Sequence, residues 1–336
     1  MNRLAASYFT LGLIVGVLVT VSVFSFLSHR GDSAAGAKVL KLSHTLDQSH
    51  PVHLAMEFMR DRLAEKSGGL LVIEIYPNGQ LGTETETIEQ VQRGVLAMVK
   101  ASVAPMEAFI TEMGVFGLPY LFRDEEHYWK VLNGPIGKEL LALGESRGLR
   151  GLIFYESGSR SFYTIDKPIL SPDDLDGHKI RVMRSKMSMD MISQMGGSPT
   201  PIPFGELYTA LQQGMVDGAE NNAPSLETSR HYEVAKHYSL DEHTRIPDIV
   251  LFSQEIWEGL APHERAWVQE AADESVEYQR ELWREETQKS LERLQENGVT
   301  VYRPDKEPFR RKMAPMYERF EGTPIGDLVE RIRAVE

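Results

Sequence analysis

Two arginines, at positions 160 and 181, stand where their charge demands an explanation. Arg181 lies in Lys179-Ile180-Arg181-Val182-Met183, a run that reads as a strand. A guanidinium flanked by apolar strand residues is costly to bury unless an ionised or strongly polar group meets it. Arg160 follows directly on another apparent strand, in Tyr155-Glu156-Ser157-Gly158-Ser159-Arg160. The planar fork of arginine grips a carboxylate through two parallel bonds, which lysine cannot reproduce. On residue type alone, a permanent internal salt bridge is the expected role of each arginine. Two neighbouring motifs favour a binding site. Val216-Asp217-Gly218-Ala219-Glu220-Asn221-Asn222 sets amides after a short strand, and amides both donate and accept. Pro201-Ile202-Pro203-Phe204-Gly205-Glu206-Leu207-Tyr208 supplies an aromatic wall at a helix start, although Phe204 by itself could be core.

Other chemistries find no footing. There is no G-x-S-x-G turn, H-E-x-x-H helix, P-loop or G-x-G-x-x-G fingerprint, and Ser157-Gly158-Ser159-Arg160 lacks the glycine that would make it a nucleophile turn. His44, His50 and His53 cluster, but no carboxylate is spaced to complete a metal set with them, so capping and packing are their expected roles. Asp173, Asp174 and Asp176 lack the full calcium-loop pattern and read as a solvated turn. Without a cysteine, disulfides, thiolate metal sites and thiol catalysis are excluded. No metal or cofactor is expected.

The elements that must position these residues alternate. Lys38 to His44 and Leu70 to Tyr76 read as strands around a helix that opens at His50-Pro51 and closes at Ser67-Gly68-Gly69. A helix from about Thr83 to Arg93 follows, then strand Leu96 to Ala101, helix Gly137 to Arg147, strand Gly151 to Tyr155, strand Lys179 to Met183 and helices Ser185 to Met195 and Phe204 to Gln212. This order predicts α/β lobes with parallel sheets, in which ligands gather beyond the carboxyl ends of the strands. A helix from about Pro262 to Glu296 is long enough to run across two lobes.

At 336 residues the chain suits a pair of lobes better than one compact domain. A net charge of −13 argues against nucleic acid or anionic lipid as a partner, and it obliges any anion site to build a local positive field. Arg3, an uncharged stretch from Leu4 to Ser28 and the small residues Ala35-Gly36-Ala37 form a leader at 1–37. Cleavage near Ala37 is the first reading, and an uncleaved anchor is its rival because the apolar run could span a bilayer. Either way residues 38–336 lie outside the cytoplasm, in the periplasm.

Four ordered signatures make the chain resemble the solute-binding proteins of tripartite ATP-independent periplasmic (TRAP) transporters. They are Pro77-Asn78-Gly79-Gln80-Leu81-Gly82, Phe116-Gly117-Leu118-Pro119-Tyr120-Leu121-Phe122, Asp174-Leu175-Asp176-Gly177-His178-Lys179-Ile180-Arg181-Val182 and Val216-Asp217-Gly218-Ala219-Glu220-Asn221. The resemblance covers nearly all of residues 38–320. It implies an α/β, two-lobed periplasmic binding fold with a hinge and a long lobe-spanning helix. One lobe would hold 38–158 plus about 247–286, the other 159–246 plus about 287–336. It also implies a monomer that captures a small organic acid, makes or breaks no bond, and delivers the acid to a membrane permease. The carboxylate clamp of the family maps onto Arg181, its second arginine onto Arg160, its amide onto Asn221 and its wall aromatic onto Phe204. Less firmly, it places His44 and Asp47 after the first strand, Glu84 at a helix start, and Lys100 or Ser102 after the third strand.

Acceptors such as Glu84, Asp47 and Asn221 suit hydroxyls and would repel a second carboxylate. A sugar acid is therefore expected, either a hexuronate such as D-glucuronate or D-galacturonate or an aldonate. A C4-dicarboxylate is the alternative, with Lys100 or Lys186 as second cation. Histidine near the first loop departs from the sialic acid binders. An enzyme with Glu84 and Asp47 as acid and base is the rival class.

Overall fold

The computed structural model describes residues 36–336. The leader at 1–37 lies almost wholly outside the described residues, and so do the alternatives of cleavage and anchoring. Among the described residues no helix is long and apolar enough to cross a membrane.

Local chemistry sets the elements that carry the site. Helix Pro51–Lys66 opens on a proline, which has no N–H to leave unpaired, and His50 Nδ1 accepts the Val52 N–H at 3.2 Å. It ends where Gly68 and Gly69 take left-handed φ values of 60° and 81°. Helix Glu84–Gln92 is opened by a reciprocal capping box between Thr83 and Glu86, which fixes Glu84 in the first turn.

Among the described residues eleven strands form two sheets. The first has the order 71–76, 38–43, 98–102, 248–253, 149–155, and the second 300–302, 237–244, 160–164, 218–221, 179–182, 198–201. Both are mixed, which corrects the expectation of parallel sheets. Strand Asp248–Ser253 runs antiparallel to both neighbours, and so does Arg160–Thr164. The reason is the hinge: the chain passes between sheets at 156–159 and 245–247, links too short to hold a crossover helix. Each strand that enters by such a link lies against the run of its new sheet. Arg160 consequently begins a strand of its own, in the second sheet, with four residues between it and the end of Leu149–Tyr155. Strand Ser198–Pro201 was hidden by its two prolines, which are tolerated because it is the sheet edge. The expected helix over 137–147 is Pro135–Ala142 plus a short turn. It breaks at Gly144, where a Cβ would sit 2.5 Å from the Leu149 carbonyl oxygen.

Helix Pro262–Glu296 spans both lobes as expected. Its first half packs on Pro51–Lys66 and strand Leu149–Tyr155, and its far end packs on Ala223–Thr228, where Arg293 pairs with Glu227 at 3.0 Å. Between them Gln279 clamps the hinge, accepting the Glu156 N–H and donating to its carbonyl, each at 2.9 Å. The C-terminal segment was expected wholly in the second lobe. It instead bridges: Glu307–Glu318 packs on Lys186–Met195, while Pro324–Arg333 returns to Thr111–Gly117 and pairs Arg331 with Glu139.

Candidate ligand-binding cleft

Strand alternation aims the first arginine. Ile180 and Val182 point into the core, so Arg181 faces the other way, yet it is only 2% exposed. Its Nε donates to the Ile202 carbonyl at 2.8 Å, its guanidinium lies 5.8 Å from the Phe204 ring centre, and its Nη1 has no hydrogen-bond partner. Among the described residues no carboxylate comes within ion-pair distance of it. Burial pulls its pKa down, the signature of a cation that lacks an adequate counter-charge.

Arg160 is different. Its Nη2 donates to Glu220 Oε1 at 3.0 Å and to the Glu220 carbonyl at 2.7 Å, and its Nε also meets that carboxylate. Its Nη1 donates to Asn221 Oδ1 at 2.8 Å. The internal ion pair that residue type had allowed is thus the arrangement around Arg160. With Oδ1 held by Arg160 and by the Asn222 N–H, the amide NH2 is the part of Asn221 left without a partner among the described residues.

These side chains meet in one cleft between the lobes. Arg160, Arg181, Phe204 and Asn221 line it from the second lobe, and Glu84, Lys100 and Ser102 from the first. Glu84 Oε1 accepts the Ser102 N–H at 2.9 Å, and the Ser102 hydroxyl caps Val103–Met106. Lys100 pairs with Asp248 at 2.8 Å, although burial still pushes Asp248 up to about 6.

His44 and Asp47 stand outside the lining. His44 Nε2 meets His53 Nδ1 at 2.9 Å and its Nδ1 accepts the Leu46 N–H, while Asp47 caps its own turn through Ser49. Burial, with Lys100 nearby, pulls His44 down to about 2, so it is a neutral packing group. Their neighbours Thr45, Leu46 and His50 line the cleft instead. His50 Nε2 lies 3.2 Å from Ser225 Oγ, a contact that joins the lobes. Asp47→Ala should therefore leave ligand affinity within about twofold by calorimetry. A tenfold loss would put Asp47 back in the site.

Asp248 was missed, though the logic applied to Arg181 would have found it: a carboxylate opening the apolar run Asp248-Ile249-Val250-Leu251 needs a buried partner. Ser157 and Ser225 carry no such signal.

Behind Arg160, His243 lies 3.6 Å from Glu220 and 2.8 Å from Asp241. Burial alone would lower this histidine, but Asp241 and then Glu220 reverse that and raise it to about 9. Burial likewise lifts Glu220, and Arg160 and His243 more than offset it, holding it near about 2. A histidine with a raised folded pKa stabilises fully below its unfolded 6.5 and loses that contribution as pH climbs through about 9. The denaturant midpoint should accordingly fall across that window, and His243→Gln should flatten the slope. A wild-type midpoint that stays level would contradict the charged assignment.

Residues 42–323 match the bacterial extracellular solute-binding proteins of family 7, DctP. The chain belongs to that family. As a family 7 solute-binding protein it superimposes on a TRAP solute-binding protein from Bradyrhizobium sp. btai1 in complex with D-galacturonate, at 42% identity and TM-score 0.86, covering 88% of this chain and 99% of that one. A TRAP solute-binding protein from Roseobacter denitrificans with bound β-D-glucuronate is 38% identical at TM-score 0.86, covering 89% and 100%. The C4-dicarboxylate-binding periplasmic protein of Rhodobacter capsulatus is 33% identical over 86% of each chain. The two-lobed α/β fold, the solute-binding role and the extracytoplasmic class follow from this membership.

Proposed function

We propose that this family 7 protein captures a hexuronate, of the D-glucuronate and D-galacturonate type, in the periplasm and presents it to a TRAP permease. The observation that carries the reading is the Arg181 guanidinium, buried in the cleft and lacking a carboxylate partner. The acid group of the ligand would complete its fork, and Phe204 would pack against a face of the sugar ring. Glu84 and the Asn221 NH2 would bind hydroxyls, one accepting and the other donating. Arg160 would act through Asn221, which it orients.

The C4-dicarboxylate alternative needs a second cation. Lys100 is already matched by Asp248, and Lys186 pairs with Asp190 outside the lining. A diacid would leave one carboxylate facing Glu84. The bound ligands of the relatives from Bradyrhizobium and Roseobacter favour the same choice.

On this reading the lobes are 38–158 with about 247–286, and 159–246 with about 287–336, the last helix folding back onto the first lobe. The protein works as a monomer, without cofactor and without turnover. Contacts from both lobes stabilise the closed form, so affinity and closure are one equilibrium. In a thermal-shift and calorimetric panel, a uronate should raise the melting temperature and be recovered unchanged. Stabilisation by succinate or malate but by no uronate would overturn the ligand assignment.

A further inference from the structure

A second cleft, of about 140 Å³, lies on the hinge side and shares no lining residue with the one that holds Arg181. Its walls are the turn at 120–124, the link residue Ser159, the strand end at 242–245 and the segment carrying Lys306 and Arg310. Four cationic side chains line it, Arg123, Arg245, Lys306 and Arg310, against two carboxylates, Asp124 and Glu242. In a chain of net charge −13 that concentration runs against the overall field.

The carboxylates are already engaged. Asp124 caps a helix by accepting the His127 N–H at 2.8 Å, and Glu242 pairs with Lys306. Arg245 is matched by Glu156 at 2.9 Å and Glu125 at 3.5 Å. Among the described residues Arg310 and Arg123 meet no carboxylate. Arg310 lies 4.6 Å from the centre of the Tyr120 ring, and Arg123 donates to the carbonyls of Arg333 and Val335.

Two further observations converge on the same walls. The Thr244 hydroxyl and Arg245 Nε are buried without a hydrogen-bond partner, and Thr244 is 3% exposed. Tyr120 and Glu242 hold left-handed φ values of 58° and 50°, a conformation strained for a residue with a side chain. The Tyr120 N–H donates to the His243 carbonyl at 2.8 Å and locks the two segments together. Surplus cations, orphan donors and backbone strain thus share one concavity that touches both lobes.

We propose that this hinge cleft binds a small oxyanion, of the phosphate and carboxylate class, and that its occupancy biases lobe closure. A doubly charged oxyanion satisfies the free guanidiniums and accepts from the buried hydroxyl. Because its partners come from the 120–124 turn of one lobe and the 242–245 and 306–310 segments of the other, it favours one hinge angle.

The test is a calorimetric titration of the purified protein with inorganic phosphate at fixed ionic strength, run in parallel on Arg181→Lys. One saturable site is expected in both, since the main cleft is not used. Arg310→Gln and Thr244→Val should each weaken it by at least about fivefold. Arg123→Gln serves in place of Thr244→Val if that buried change prevents folding. Saturating phosphate should also change uronate affinity by the same factor by which uronate changes phosphate affinity. Absence of a saturable site, or a site lost in Arg181→Lys and indifferent to Arg310→Gln, would overturn the proposal. Phosphate binding that leaves uronate affinity unmoved would remove its regulatory half.

Discussion

Arg181→Lys is expected to lower affinity for the preferred uronate at least tenfold, about 1.4 kcal/mol or more, while the ligand-free protein melts within a few degrees of wild type. The substitution keeps the positive charge and most of the aliphatic stem. What it removes is the planar fork, together with the Nε bond to the Ile202 carbonyl and the contact over Phe204. An ammonium at that position can meet one carboxylate oxygen but cannot hold the carboxyl plane. Among the described residues no carboxylate pairs with Arg181, so the fold loses little. Calorimetry showing unchanged affinity would reject the clamp.

The opposite pattern is expected at Arg160. Arg160→Met should cost about 3–5 kcal/mol of folding stability, because it strips Glu220, 1% exposed, of its main counter-charge. His243 at 3.6 Å is a poor substitute. Adding Glu220→Gln should recover a large part of the loss by removing the stranded charge, a coupling that a double-mutant cycle reads directly. Independent, additive costs in denaturant melts would contradict the ion-pair account. The two arginines therefore separate by readout: Arg181→Lys is read in affinity at little cost in stability, whereas Arg160→Met is read first in stability.

That separation was only half legible in the sequence. Both arginines stood out because guanidinium in an apolar strand setting needs a partner, and the long helix was readable from end to end because nothing in Pro262 to Glu296 interrupts it. Which partner each arginine has depends on the register between strands 160–164 and 218–221. Ser161 opposite Asn221 and Phe162 opposite Glu220 bring the acid beside Arg160. No local pattern encodes that pairing. Which residues after the first strand line the cleft was hidden for a similar reason. His44 and Asp47 have the right chemistry, but the turn of the chain there sends Thr45 and His50 to the cleft. The antiparallel hinge strands were invisible because two links of three or four residues look like ordinary loops until the strands on either side are known to belong to different sheets.

The central claim is that a carboxylate supplies the missing partner of Arg181. It is tested most directly by titrating the wild-type protein with D-galacturonate or D-glucuronate, whichever binds better, and with the amide of the same sugar, which keeps every hydroxyl and replaces the carboxylate with a neutral carboxamide. The acid should bind at least tenfold more tightly than the amide. Equal affinities would mean that the guanidinium at position 181 grips nothing ionised.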